Sequence, residues 1–270
     1  MGSPVGGVLW TARLYRRCLG VRLRAAMEEP GDFWLMVASA LTTQVVGIVF
    51  LWAIFRAIPQ INGWRFWDIV LIYSLVVVTE GLSVLVAQGA WQLAMTVNLG
   101  ELDAVLVRPY PAVLQVLASA IGINGLGNLL LGCLLLGNAI ARVDVHWSPG
   151  LILLAVGLLA GATLTKIGLN LATNCAAFWL KSPFSAFAFS MHTLGELARF
   201  PITIYGVGVR IVLSVFLPYA FMSFFPATTV LHRGAPVWAG LLTPVVGIYS
   251  VAVGTWLFRR GLSRYESSGH

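Results

Sequence analysis

The sequence predicts an all-α polytopic membrane protein with about six transmembrane helices. Three observations carry that expectation. First, 59% of the residues are hydrophobic, only 10% are charged, and the mean hydropathy is +0.87, a balance foreign to soluble domains. Second, apolar stretches at about 34–55, 69–91, 112–141, 150–178, 184–206 and 236–258 match the ~20 residues that cross ~30 Å of hydrocarbon. Third, Arg and Lys fall unevenly between the two sides those stretches define: Arg13, Arg16, Arg17, Arg22, Arg24, Arg108, Lys181, Arg259, Arg260 and Arg264 on one, Arg56, Arg65, Arg142 and Arg233 on the other, with Arg199 and Arg210 in the fifth region assigned to neither, a modest bias. The positive-inside bias makes the first side, with both termini, cytoplasmic. The formal charge of +7 is then topology and attraction to anionic lipid, not a nucleic-acid footprint.

Residues 1–33 form a first unit. Arg residues interrupt every apolar run, so no signal-peptide core is expected. Trp10, Leu14, Cys18 and Val21 recur at helical spacing with Arg13, Arg16, Arg17 and Arg24 largely elsewhere around the helix, the pattern of an amphipathic helix in the cytoplasmic interface. Glu28 to Asp32 reads as a turn, with Asp32 capping the first membrane helix.

The six-span unit covers 34–258. Between its second and third spans lies a charged island, Gly100-Glu101-Leu102-Asp103 running to Arg108-Pro109, within a short amphipathic helix expected at about 96–109. Its charges exclude it from hydrocarbon. Glu101 and Asp103 offer carboxylates, Leu102 and Leu106 an i, i+4 apolar ridge, and Arg108 a brace for the helix end. Before the last span, Pro201 and the Pro218 to Pro226 aromatic segment predict short outer-side re-entrant helices over about 207–232, because proline stops helices and the segment is too short to cross. A cytoplasmic tail, 259–270, closes the chain.

Charged and amide side chains inside the spans require a partner or a cavity. Glu80, with Gln88 and Gln92, lies in the second span; Lys166, Asn170 and Asn174 share a stripe in the fourth; His192, Glu196 and Arg199 form a third stripe in the fifth. They read as a buried Glu–Lys pair and a Glu–Arg pair, or as the polar lining of a substrate route. Gly157, Gly161 and Gly168, like Gly122, Gly125 and Gly127, read as sites of close helix approach. No metal-ligand spacing, disulfide framework, nucleophile elbow or phosphate loop occurs in the sequence. The chain is therefore expected to be non-catalytic, with no cofactor of its own.

The spans, the N-terminal helix, the Gly100 to Asp103 island with Arg108-Pro109, and the Arg199-Phe200-Pro201, Pro218 and Phe225-Pro226-Ala227 series resemble the permease subunits of type-2 ABC exporters, more narrowly a bacterial branch in which two related permeases pair with one ATPase. The resemblance implies an inner-membrane, multi-pass location and a partner ABC ATPase dimer that carries the ATP and Mg. It also implies a second permease, a related chain or a copy of this one, and a coupling role for Glu101, Asp103 and Arg108. It further implies alternating access for a hydrophobic or amphipathic cargo such as a lipid, glycolipid, peptide or antibiotic. The alternative is an ion-coupled secondary transporter or channel, with Glu80, Lys166 and Glu196 as coupling groups; no inverted repeat supports it.

Overall fold

A computed structural model describes residues 4–107, 110–180 and 186–265. Twelve α-helices are described: α1 Pro4–Met27, α2 Pro30–Ala57, α3 Phe66–Asn98, α4 Asp103–Leu106, α5 Ala112–Leu117, α6 Asn124–Ile140, α7 Pro149–Asn174, α8 Ala186–Gly195, α9 Val207–Ile211, α10 Phe224–Leu231, α11 Val237–Leu241 and α12 Thr243–Leu262. Short 3₁₀ or π turns extend or link several of them, and no strand occurs among the described residues. Three helices, α2, α3 and α7 with its 3₁₀ extension to Phe178, are long and apolar enough to cross a bilayer. The chain is an all-α membrane protein.

Contacts sort the loops to two ends. At the far end, Asn62 Nδ2 donates to the Thr203 carbonyl at 2.9 Å, Trp64 Nε1 to Thr203 Oγ1 at 2.8 Å, Arg142 stacks on Trp67, and Arg233 pairs with Asp68. At the island end, Trp10 meets Tyr110, Phe178 meets Tyr265, and Leu102 packs among Val116, Cys175 and Phe258. Among the described residues, α2, α3, α5 with α6, α7, residues 186–204, and α11 with α12 run between the two ends, six passages in all.

Three passages are broken, the fifth of them at the proline that already interrupts its apolar stretch in the sequence. The third is interrupted at 118–123, where Gly122 N donates to the Val84 carbonyl at 3.2 Å. A Cβ at Gly89 would strike the Val116 carbonyl oxygen, so the α5 backbone lies directly on α3. Opposite this break α3 itself bends at Ala87 (φ −143°, ψ 44°). The fifth passage ends as a 3₁₀ turn, Glu196–Arg199, because Pro201 cannot supply a helical N–H and forces Phe200 into extended backbone. The last is divided at Leu242, with Pro244 in the first turn of α12.

The α7 and α12 helices run parallel along a glycine seam. Cβ atoms at Gly161 and Gly168 would strike backbone at Pro244 and at Ser250–Val251, while Gly247, Gly254 and Gly261 face Gly161, Leu171 and Phe178. Gly157, one of the expected packing glycines, faces open space. Gly81 and Gly125 bring α3 and α6 together in the same way, and Gly127 meets α2 at Val37.

Residues 207–232 fold back on themselves as a hairpin. Arg210 Nε donates to the Tyr205 carbonyl at the far end, the chain descends through α9 and the π turn Val212–Phe216 to Tyr219, and returns along α10 to Arg233. Irregular backbone at this depth is tolerated because the tip is enclosed by protein: Tyr219, Ala220, Met222 and Phe224 are fully buried. At the other terminus, α1 docks through Tyr15 while Trp10 and Val21 of the expected apolar stripe stay exposed. The α2 helix begins at Pro30, with Asp32 inside the first turn and not at the cap. Proline at the first helical position explains the shift, and Asp32 still complements the helix dipole.

Candidate functional site

Helices α3, α7 and α8, with the 3₁₀ turn Glu196–Arg199 that follows α8, place their charged side chains at one point along the bundle. Lys166 Nζ lies 2.7 Å from Glu80 Oε2 and 3.2 Å from His192 Nδ1; His192 Nε2 lies 3.8 Å from Glu196 Oε1, and Glu196 Oε2 is 2.6 Å from Arg199 Nη2. An ammonium donates, so Nδ1 of His192 accepts and Nε2 carries the proton that faces Glu196. Two carboxylates and two cations cancel, as a low-dielectric interior requires. Both ion pairs expected between charged groups of the spans are present.

The cluster continues beyond the residues picked out from sequence. Arg199 lies over the Tyr73 ring at 5.5 Å, Tyr73 donates to Gln44 Oε1 at 2.8 Å, and Gln44 Nε2 donates to Asn128 Oδ1 at 3.1 Å, linking α2 and α6 to the charges. Trp91 packs on His192 with centroids 4.8 Å apart, and the hairpin tip places the Tyr219 ring 6.0 Å from Lys166 Nζ. Gly195 permits this, since a Cβ there would meet the Tyr219 ring at 2.8 Å. Gln44 and Asn128 are detectable as amides within apolar runs; Tyr73 and Tyr219 carry no signal that separates them from packing aromatics.

Burial grades from one side to the other. The Lys166 side chain is 3% exposed, Glu80 20%, His192 25% and Glu196 38%, so the cluster opens at α8. Asn170 and Asn174 are buried, but no polar contact joins them to the cluster among the described residues; Asn174 Nδ2 donates to the Asn170 carbonyl of its own helix. Gln88 lies beyond the Ala87 bend with Oε1 buried and unpartnered, while Gln92 is exposed.

At the island end, the chain leaves α3 through Gly100, whose φ of +75° suits glycine. The expected helix over about 96–109 is instead the end of α3, this turn, and the single-turn α4. Leu102 is fully buried among Ala90, Leu93, Val116 and Phe258. It anchors the island from inside, which corrects the expectation that Leu102 and Leu106 together form an outward ridge. The outward face is Glu101, Leu106 and Val107, the last 83% exposed. Asp103 is half-buried and faces Tyr265, whose pKa is raised by burial and then by that carboxylate. Arg108 lies outside the described residues.

Against known protein families, residues 41–269 match the family described as ABC-2 family transporter protein. No curated protein and no solved structure matches.

Proposed function

The chain belongs to the ABC-2 transporter family, and from that premise we propose that it is the permease subunit of an ATP-driven exporter for a hydrophobic or amphipathic cargo. Membrane subunits of the family work with an ABC ATPase. The six passages between the ends cross the bacterial inner membrane, with both termini and the island cytoplasmic. The observation that carries this reading is the island: Leu102 fixes it to the bundle while Glu101, Leu106 and Val107 point away from it. An anchored, outward-facing charged knob transmits motion, whereas a free loop absorbs it.

The α8 face supports a second permease. A Glu196 carboxylate 38% exposed at mid-depth is costly against lipid and requires a cavity or a partner. A related chain or a second copy covers this face, and the Glu80, Lys166, Glu196 and Arg199 cluster, with Asn170 and Asn174 behind it, borders the route between the two permeases. Alternating access then follows from ATP binding on the partner ATPase dimer moving the island. ATP and Mg reside on that dimer, and this chain is not catalytic.

The test is co-expression with the cognate ATPase. Glu101→Ala combined with Val107→Ala should leave insertion intact and abolish ATPase co-purification and substrate-stimulated hydrolysis. Retention of both in the double variant, or transport by the wild-type chain with no ATPase present, overturns the proposal.

A further inference from the structure

At the far end, the loops before α3, after α6 and after α10 enclose a recess of about 280 Å³ that includes Arg65, Trp67, Asp68, Arg142, Asp144 and Arg233. It is smaller than the cavities that hold drug-sized molecules, and its size suits a headgroup. Three guanidiniums face two carboxylates, and the carboxylates are unequal. Asp68 is buried and committed: it accepts from the Arg65 backbone N–H at 2.9 Å and pairs with Arg233. Asp144 is exposed.

The Arg142 guanidinium is held in advance of any ligand. Its Nη1 donates to Asn138 Oδ1 at 2.7 Å, and its plane covers the Trp67 ring at 4.4 Å. That leaves other N–H groups of the fork for an acceptor, and a fork suits phosphoryl oxygens. Arg65 also lines the recess and supplies a second guanidinium. Trp67 and Trp147 lie at this same end, and tryptophan is enriched at headgroup depth.

We propose that this recess binds a phosphoryl group at the depth of the lipid headgroups, with Arg142 and Arg65 as the principal contacts. The site is separate from the charged cluster in the bundle and from the island. Its chemistry is shared by an anionic phospholipid headgroup and by free phosphate, and the measurement distinguishes them.

Native mass spectrometry of the purified full chain is performed with added phosphatidylglycerol, with diacylglycerol of the same acyl chains, and with inorganic phosphate as competitor. The wild type should retain phosphatidylglycerol over diacylglycerol, and Arg65→Gln with Arg142→Gln should lower that retention at least tenfold. Displacement by millimolar phosphate identifies the free anion as a sufficient ligand; failure of phosphate to displace identifies the lipid headgroup, and both outcomes sustain the site. Equal retention of the two lipids by the wild type, or unchanged retention in the double variant, overturns it. If the double variant does not fold, Asp144→Asn decides: losing a carboxylate from the recess should raise phosphatidylglycerol retention severalfold, and no rise overturns the proposal.

Discussion

The Tyr15 hydroxyl donates to the Val86 carbonyl at 2.6 Å, immediately before the Ala87 bend of α3. A bend frees carbonyls from the i to i−4 ladder, and an unsatisfied carbonyl is costly in a membrane protein. Helix α1 thus completes the hydrogen bonding of the helix that leads into the island.

Removing this hydroxyl should loosen the bend. Tyr15→Phe is expected to lower stability in detergent by about 1 kcal/mol, the usual net worth of such a bond. Burial pushes the Tyr15 pKa up to about 12 from 10.0. A phenol held protonated by the fold contributes stability that is full below pH 10 and is lost as pH rises toward 12. A denaturation series from pH 9 to 12 should therefore fall more steeply for wild type than for Tyr15→Phe; parallel curves would show that the hydroxyl is not held as described.

The Glu80–Lys166 pair should behave as a buried ion pair. Glu80→Ala and Lys166→Ala are each expected to cost about 3–5 kcal/mol by stranding the other charge. The combined Glu80→Leu, Lys166→Met variant should recover most of that loss. Urea titration of the purified protein checks the order, and single variants as stable as wild type would exclude the pair as a structural element.

Close approach along α7 predicts a contrast between two glycines. Gly168→Ala drives a methyl into the Ser250 and Val251 backbone and should cost roughly 1–3 kcal/mol, as overpacking does. Gly157→Ala meets nothing and should be neutral or gain up to about 1 kcal/mol from helix propensity. Comparison of thermal midpoints separates them.

The island should split into anchor and contact. Leu102→Ala is expected to destabilise the chain by about 2–5 kcal/mol, as for other buried leucines. Leu106→Ala, 42% exposed, should leave stability unchanged and weaken ATPase co-purification. Equal effects of both on stability would contradict the burial difference.

Accessibility labelling addresses orientation. Cysteines placed at Gln60 and His146, both exposed at the far end, should react with an impermeant maleimide in intact cells, while one at Ala104 should react only after lysis. The reverse pattern would invert the proposed topology.

What the sequence revealed depended on whether the signal was local. The runs that became α2, α3 and α7 were legible because length and apolarity suffice to recognise a spanning helix, and Glu80, Lys166, Glu196 and Arg199 stood out because charge in an apolar run is conspicuous. The breaks at 118–123 and at Ala87 were not legible: neither contains proline, and each exists because the other accommodates it through Gly122, Val84 and Gly89. Leu102 was misread for a similar reason, since only the fold shows which side of a one-turn helix faces Phe258. Pro218 and Pro226 are conspicuous in the sequence, but the approach of Tyr219 to Lys166 depends on Gly195, which lies 24 positions before the tyrosine.

The parallel glycine seam between α7 and α12 has a mechanical corollary. Helices that touch backbone to backbone at Gly161, Gly168 and Gly254 have no side-chain cushion in which to slide, so any rearrangement that preserves the fold carries them as a single stator. The irregular parts are α3, bent at Ala87 beside Tyr15, and the hairpin that turns at Tyr219. If the island is the contact we propose, a push delivered at Glu101 travels up one bent helix beside a fixed post.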